Sequence, residues 1–198
     1  MTSSRDPHEP DEPQRPIELD ARRLRGLAHP MRVRILHMLE TDGAATATML
    51  ADRLHVRSGS TSWHLAKLAE HGLVEEIPDR GGPRERWWRP TRSGWMIRHG
   101  EFADDAELAD ASEIVLSSVL ADQLLDATRF LHEDWDATWR RSWIVTTDQS
   151  LVLDPAGIEA LRADLWAVLE RYRSTPSTSE GAERITFQMQ GFPQRHQS

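Results

Sequence analysis

The chain has 198 residues, 38% of them hydrophobic, and no cysteine, so it can form one large domain or two small ones, and disulfides, thiolate metal sites and cysteine nucleophiles are excluded. Its formal net charge of -8 is unevenly spread: residues 18–98 hold 14 Lys plus Arg against 10 Asp plus Glu, residues 99–198 hold 8 against 18, and residues 1–17 hold 2 against 4. No apolar run approaches the roughly 18 residues of a membrane helix and no signal-peptide pattern precedes the first predicted helix, so a soluble cytoplasmic protein without membrane contact is expected.

Residues 1–16 combine four prolines and four acidic residues with almost nothing apolar, which predicts a disordered tail. A helix is predicted from about Leu19 to Leu27. Pro30 opens a second, on which Met31, Ile35, Leu36 and Leu39 form a buried stripe ending near Gly43. A short helix from Thr46 to Leu54, a turn over His55 to Arg57, and another helix opening at Ser58 as N-cap come next. On that last helix Thr61, Leu65 and Leu68 share one face, and Gly59, Ser60, Trp63, His64 and Lys67 fall on the other. Leu73 to Ile77 then reads as a strand. Asp79 to Pro83 is a Gly-Gly turn, and Arg84 to Arg89 is the return strand of a basic hairpin stopped by Pro90.

Beyond the hairpin, the Trp95-Met96-Ile97 cluster is expected to dock on the preceding elements, with a hinge over Gly100 to Asp105. A long helix is predicted over Ala106 to Trp143. Leu116, Leu120, Leu124, Ala127, Leu131 and Trp135 recur on it at intervals of 4, 4, 3, 4 and 4, which keeps them on one stripe. That stripe needs a partner, either the chain's own core or the same helix of a second copy. The remainder predicts a strand (Trp143 to Leu153), a helix (Pro155 to Tyr172, Asp154 as N-cap, burying Ile158, Leu161, Leu165, Leu169 and Tyr172) and a strand (Arg184 to Gly191).

Several segments together carry a family resemblance: Leu27-Ala28-His29-Pro30-Met31-Arg32, Ser58-Gly59-Ser60-Thr61-Ser62-Trp63-His64-Leu65, Glu70-His71-Gly72-Leu73-Val74-Glu75 and Arg84-Glu85-Arg86-Trp87-Trp88. In this order they resemble the arsenic-repressor (ArsR-type) winged-helix transcription regulators, in a branch with an extended C-terminal half, over roughly residues 20–95. The resemblance implies a mostly α (α+β) protein in four parts. These are the 1–16 tail, a winged helix-turn-helix DNA-binding domain at 17–98, a long linker or dimerisation helix at 99–143, and a small α+β C-terminal unit at 144–198. It further implies a homodimer joined through Leu116, Leu120, Leu124 and Leu131. Such a dimer would bind an inverted-repeat operator in double-stranded DNA, with repression as the family's usual outcome.

The chemistry of the residues fits a duplex partner. The 58–72 helix offers Ser58, Ser60, Ser62, Trp63, His64 and Lys67 to a major groove. There lysine can donate to guanine, serine to bases or phosphates, and an indole can meet a thymine methyl. The competing reading for Trp63 and His64 is that either turns back to pack on its own domain. Arg80, Arg84 and Arg86 of the hairpin can hold phosphate; alternation then points Glu85 and Trp87 inward and puts Trp88 on the outer face with Arg86. The competing reading pairs Arg86 or Arg89 with Glu75, Glu76 or Glu85.

No cofactor is expected. His132 and Asp136, with Glu133, Asp126 and Asp122 nearby, are an acidic helix face before they are a metal site. No nucleotide-binding glycine loop or nucleophile elbow points to an enzyme. Trp135, Trp139, Trp143 and Trp166 are candidates for packing or for holding a small apolar effector. The rival functional class is a winged-helix protein-interaction module that does not read DNA sequence.

Overall fold

The computed structural model describes residues 17–82, 85–92, 94–97, 100–142 and 151–193. The expected 1–16 tail, Arg84 and Trp143 lie outside them. The chain divides into two compact units, residues 1–131 and 132–198.

Among the described residues, the first unit holds five helices and two small sheets. Strand β1 (Ile17–Glu18) leads into α1 (Ala21–Leu27), which starts one residue after Asp20 because the Asp20 carboxylate accepts the Arg23 amide at 2.8 Å. Helix α2 (Pro30–Asp42) has Pro30 at its first position and the His29 ring as cap, with Nδ1 accepting the Met31 amide at 3.1 Å. Gly43, at φ 89°, ends it. After β2 (Ala45–Thr46), the Thr46 hydroxyl caps α3 (Ala47–Leu54). His55 at φ 54° then turns the chain left-handedly into α4 (Ser58–Glu70).

Strands β3 (Val74–Ile77) and β4 (Trp87–Pro90) form the hairpin, and β2 adds to the other side of β4, giving the antiparallel order β2-β4-β3. Ala45 faces Trp88, and Glu75 faces Arg89. The two ends of the domain are tied together: β5 (Trp95–Met96) runs parallel to β1, pairing Ile17 with Trp95 and Glu18 with Met96. Half-buried Trp95 and Ile97 pack on the core, the docking expected of this cluster. Leu24, Leu27, Val33, Ile35, Leu36, Leu39, Leu50, Leu65, Leu68 and Val74 fill that core. The architecture is a winged helix-turn-helix.

Helix α5 (Ala106–His132) departs from the expected run to Trp143. It stops at His132, and Asp136 caps a separate short helix, α6 (Ala137–Ser142), accepting the Thr138 and Trp139 amides at 2.7 and 3.0 Å. Trp135 therefore leaves the helical stripe. The helix is two-faced. Leu108, Ala111 and Val115 join the core of the winged domain, while Leu120, Leu124 and Leu131 are 49%, 69% and 57% exposed. Further along, the inner face is polar. The His37 ring meets the Asp126 carboxylate at 2.7 Å, and Arg34 approaches Asp122 at 4.0 Å, whose carboxyl burial pushes up.

In the second unit, α7 (Pro155–Arg173) begins as predicted, with Asp154 accepting the Gly157 amide at 2.7 Å. Two expectations are corrected. No residue of α7 is buried, although Ile158, Leu161, Leu165, Leu169 and Tyr172 were expected to be; Tyr172 is largely exposed. Of the strand expected over Trp143 to Leu153, residues 143–150 lie outside the described residues and 151–153 are not in a strand; residues 184–191 form no strand, although Ile185, Phe187 and Met189 alternate correctly. Those side chains are exposed, and alternation makes a strand only where a second strand accepts its hydrogen bonds.

Candidate nucleic-acid interface

The reading helix is fixed from below by one hydroxyl. Buried Thr61 donates to the Ala47 carbonyl at 2.7 Å and approaches the Ser58 carbonyl at 2.9 Å, which locks α4 to the start of α3. Leu65 and Leu68 continue the buried stripe. His64 belongs to that stripe too, a correction to its expected groove-facing position. It lies three residues after Thr61 and four before Leu68, so helical geometry puts it inward, and it is 6% exposed. Its ring lies 4.6 Å from that of His29, and its Nδ1 is buried without a hydrogen-bond partner. Burial and the neighbouring His29 and Arg32 hold its pKa below the ordinary histidine value.

The opposite face of α4 is open. Ser58, Gly59, Ser60 and Ser62 are exposed, and Trp63 is 54% exposed with its edge against the His64 ring. Ser58 is the first helical residue and not the cap. Arg57 occupies the cap position and supplies no side-chain bond, which leaves the first amides to solvent. An exposed arginine beside uncapped amides suits an anion. Sequence reading passed over Arg57 as a turn residue; its signal was a basic side chain directly before the polar-faced helix.

The wing is more self-contained than alternation suggested. Trp88, expected on the outer face, is 5% exposed, and Trp87, expected inside, is half-buried. The reason is β2: with β4 paired on both sides, the face shared by Ala45, Val74 and Trp88 covers the core. Arg80 stacks over Trp87 at 4.1 Å, and Arg86 lies 4.9 Å from the Trp88 ring centre. Gly81 is required at the tip, since its φ is 92° and a Cβ there would meet the Trp87 Nε1 at 2.7 Å.

The competing ion-pair reading of the wing cations is realised. Arg86 donates from Nε and Nη2 to Glu76 at 2.8 and 2.6 Å, and Arg89 donates from Nε to Glu75 at 2.8 Å. On α4, Lys67 donates to Glu70 at 2.7 Å. These hydrogen bonds hold the Glu70 and Glu76 carboxyls below the usual carboxylate range.

In the second unit Trp135 and Trp139 meet edge-on with centroids 6.3 Å apart, and Arg173 lies 5.9 Å from the Trp166 ring. Among the described residues no three His, Asp or Glu side chains are grouped to hold a metal ion. No described helix is long and apolar enough to cross a membrane.

Solved structures similar to this one include reduced HlyU from Vibrio cholerae, 25% identical, with TM-score 0.32, covering 49% of this chain and 82% of that one. The adhesin competence repressor AdcR from Streptococcus pyogenes is 15% identical, with TM-score 0.31, covering 74% and 81%. ZitR from Lactococcus lactis in complex with DNA is 15% identical, with TM-score 0.28, covering 72% and 74%. No curated protein is significantly similar in sequence. Residues 27–77, from the end of α1 to the end of β3, match the family described as helix-turn-helix domain.

Proposed function

We propose that this protein is a sequence-specific transcription regulator of the arsenic-repressor type, acting in the cytoplasm as a homodimeric repressor with no catalytic step. In this reading residues 58–72 enter a major groove of an inverted-repeat operator, and the hairpin 73–90 follows the flanking backbone. The carrying observation is the solvent face of α4: Ser58, Ser60, Ser62 and Trp63 stand exposed, while every apolar residue of the buried stripe is used in packing. A helix made only to support a core has no need of an exposed indole beside exposed serines. The excess of basic residues over 18–98 provides the attraction to phosphate, and the acidic 99–198 half belongs away from the duplex.

The dimer reading rests on α5. Its inner face is satisfied by the chain's own core, whereas Leu120, Leu124 and Leu131, continuing from half-buried Leu116, form an exposed apolar stripe. A second copy of the same helix offers the complementary stripe under two-fold symmetry. A small apolar effector held by Trp135, Trp139 and Trp166 would act by favouring one dimer geometry.

Selection of genomic fragments by the purified protein, followed by competition with unrelated DNA, tests the reading. Retention of particular fragments containing an inverted repeat is the expected result. Equal or negligible retention of all DNA would replace it with the protein-docking alternative.

A further inference from the structure

Two of the cations offered to DNA are not free. Lys67 on α4 and Arg86 on the wing, both in the proposed phosphate- and base-contacting set, each carry a carboxylate in the unbound protein. Glu76 takes both donors of the Arg86 fork on one oxygen, Oε2. It reaches them diagonally across the hairpin, because its direct partner in the register is Trp88. Trp88 also lies beneath the Arg86 guanidinium, so this cation is held by a ring and an anion together. Glu70 takes the Lys67 ammonium one helical turn on. Both carboxylates are exposed, so neither pair is needed to neutralise a charge inside the core.

A cation that already holds a carboxylate gives a phosphate less. When the duplex arrives, the phosphate oxygen competes with Glu76 for the same guanidinium donors, and the displaced carboxylate is left close to the anionic backbone. We infer that Glu70 and Glu76 are internal competitors for the DNA phosphates, held on Lys67 and Arg86 so that electrostatic binding to arbitrary duplex is weakened. Selectivity follows from the balance of terms. Non-specific binding consists almost wholly of phosphate attraction, whereas operator binding adds contacts that the carboxylates leave untouched. Such damping suits a chain whose reading module has an excess of only four basic residues, 14 against 10 over residues 18–98.

This inference rests on the DNA-binding reading, and its test separates the two. The full chain and its E70Q, E76Q and E70Q/E76Q variants are titrated into a labelled mixed-sequence duplex at several salt concentrations, with thermal melts verifying the fold. Each substitution is expected to tighten binding about two- to fivefold at low salt, the range set by an exposed ion pair. The double variant's dependence of log K on log salt should steepen by about 0.9 for each cation released to phosphate.

The R86Q background separates masking from simple loss of negative charge: there E76Q should change affinity far less than in the native chain. An equal gain in both backgrounds, unchanged affinity, or weaker binding in the E76Q variant overturns the inference. Failure of the native chain and of every variant to bind any duplex overturns the DNA-binding reading itself.

Discussion

Glu40 gives the sharpest test of the packing in the first unit. It lies in the last turn of α2, beside a cavity of about 10 Å³ lined by Ile17, Arg23, Leu36, Leu73, Arg92 and Trp95, a volume at the lower limit for one water. The Gly94 amide donates to its carboxylate, but burial outweighs that bond and raises its pKa from 4.5 to about 7. The folded chain therefore holds this proton more tightly than the unfolded chain. Between about pH 4.5 and 7 the folded state binds more protons, so stability falls as pH rises, and the loss is complete above 7. A shift from 4.5 to about 7 corresponds to roughly 3 kcal/mol.

Glu40→Gln keeps the shape and an acceptor for Gly94 while removing the charge. Urea denaturation followed by circular dichroism from pH 5 to 8 should show the variant and the native chain converging at the acid end. At pH 8 the variant should be the more stable by up to about 3 kcal/mol. His29, His64 and Asp122 also titrate with perturbed values, but they are common to both proteins and cancel in the difference. A constant difference across the range, or a less stable variant at pH 8, would refute the reasoning.

Three further substitutions test other joints. Gly26→Ala adds a Cβ that would lie 2.5 Å from the His71 Cβ, and the His71 ring is held by its Nδ1 contact with the Arg22 carbonyl. The helix-propensity gain of about 1 kcal/mol is therefore outweighed by overpacking, and denaturation should show a net loss of about 1–2 kcal/mol, where a gain would show that α1 yields freely. Thr61→Val keeps the volume but leaves the Ala47 carbonyl without its hydroxyl partner; the melt should report a loss of about 1–3 kcal/mol, and an unchanged melt would remove Thr61 as the link between α3 and α4. The pair Leu120→Glu and Leu124→Glu places charges on exposed positions of α5, so sedimentation should show a shift from dimer to monomer with the fold retained. A native chain that sediments as a monomer would sink the dimer reading at once.

The local order of elements was written in the chain. Pro30, Thr46, Asp154 and the Asp79-to-Pro83 turn act within a few residues of themselves, so the starts of α2, α3 and α7 and the existence of the hairpin could be read directly. The polar face of α4 was legible for Ser60, Trp63 and Lys67. His64 was misplaced because a polar residue type outweighed its helical position. Arg57 was missed because a turn residue gave no periodicity to read.

What remained hidden depends on partners distant in sequence. The β1 pairing with β5 joins residue 17 to residue 95, and β2 decides which side of the wing Trp88 covers, yet both strands are two residues long and leave no pattern of their own. The stripe of leucines on α5 announced a helix seeking a partner, but only the folded chain showed a second face, through Leu108, Ala111 and Val115, already occupied by the core. In the second unit the alternation of Ile185, Phe187 and Met189 promised a strand over Arg184 to Gly191 that the described residues do not form. Residue order sets what each segment can become, because caps, turns and periodicity act locally. Which face is buried and which cation is taken is settled by neighbours that only the three-dimensional fold brings within reach.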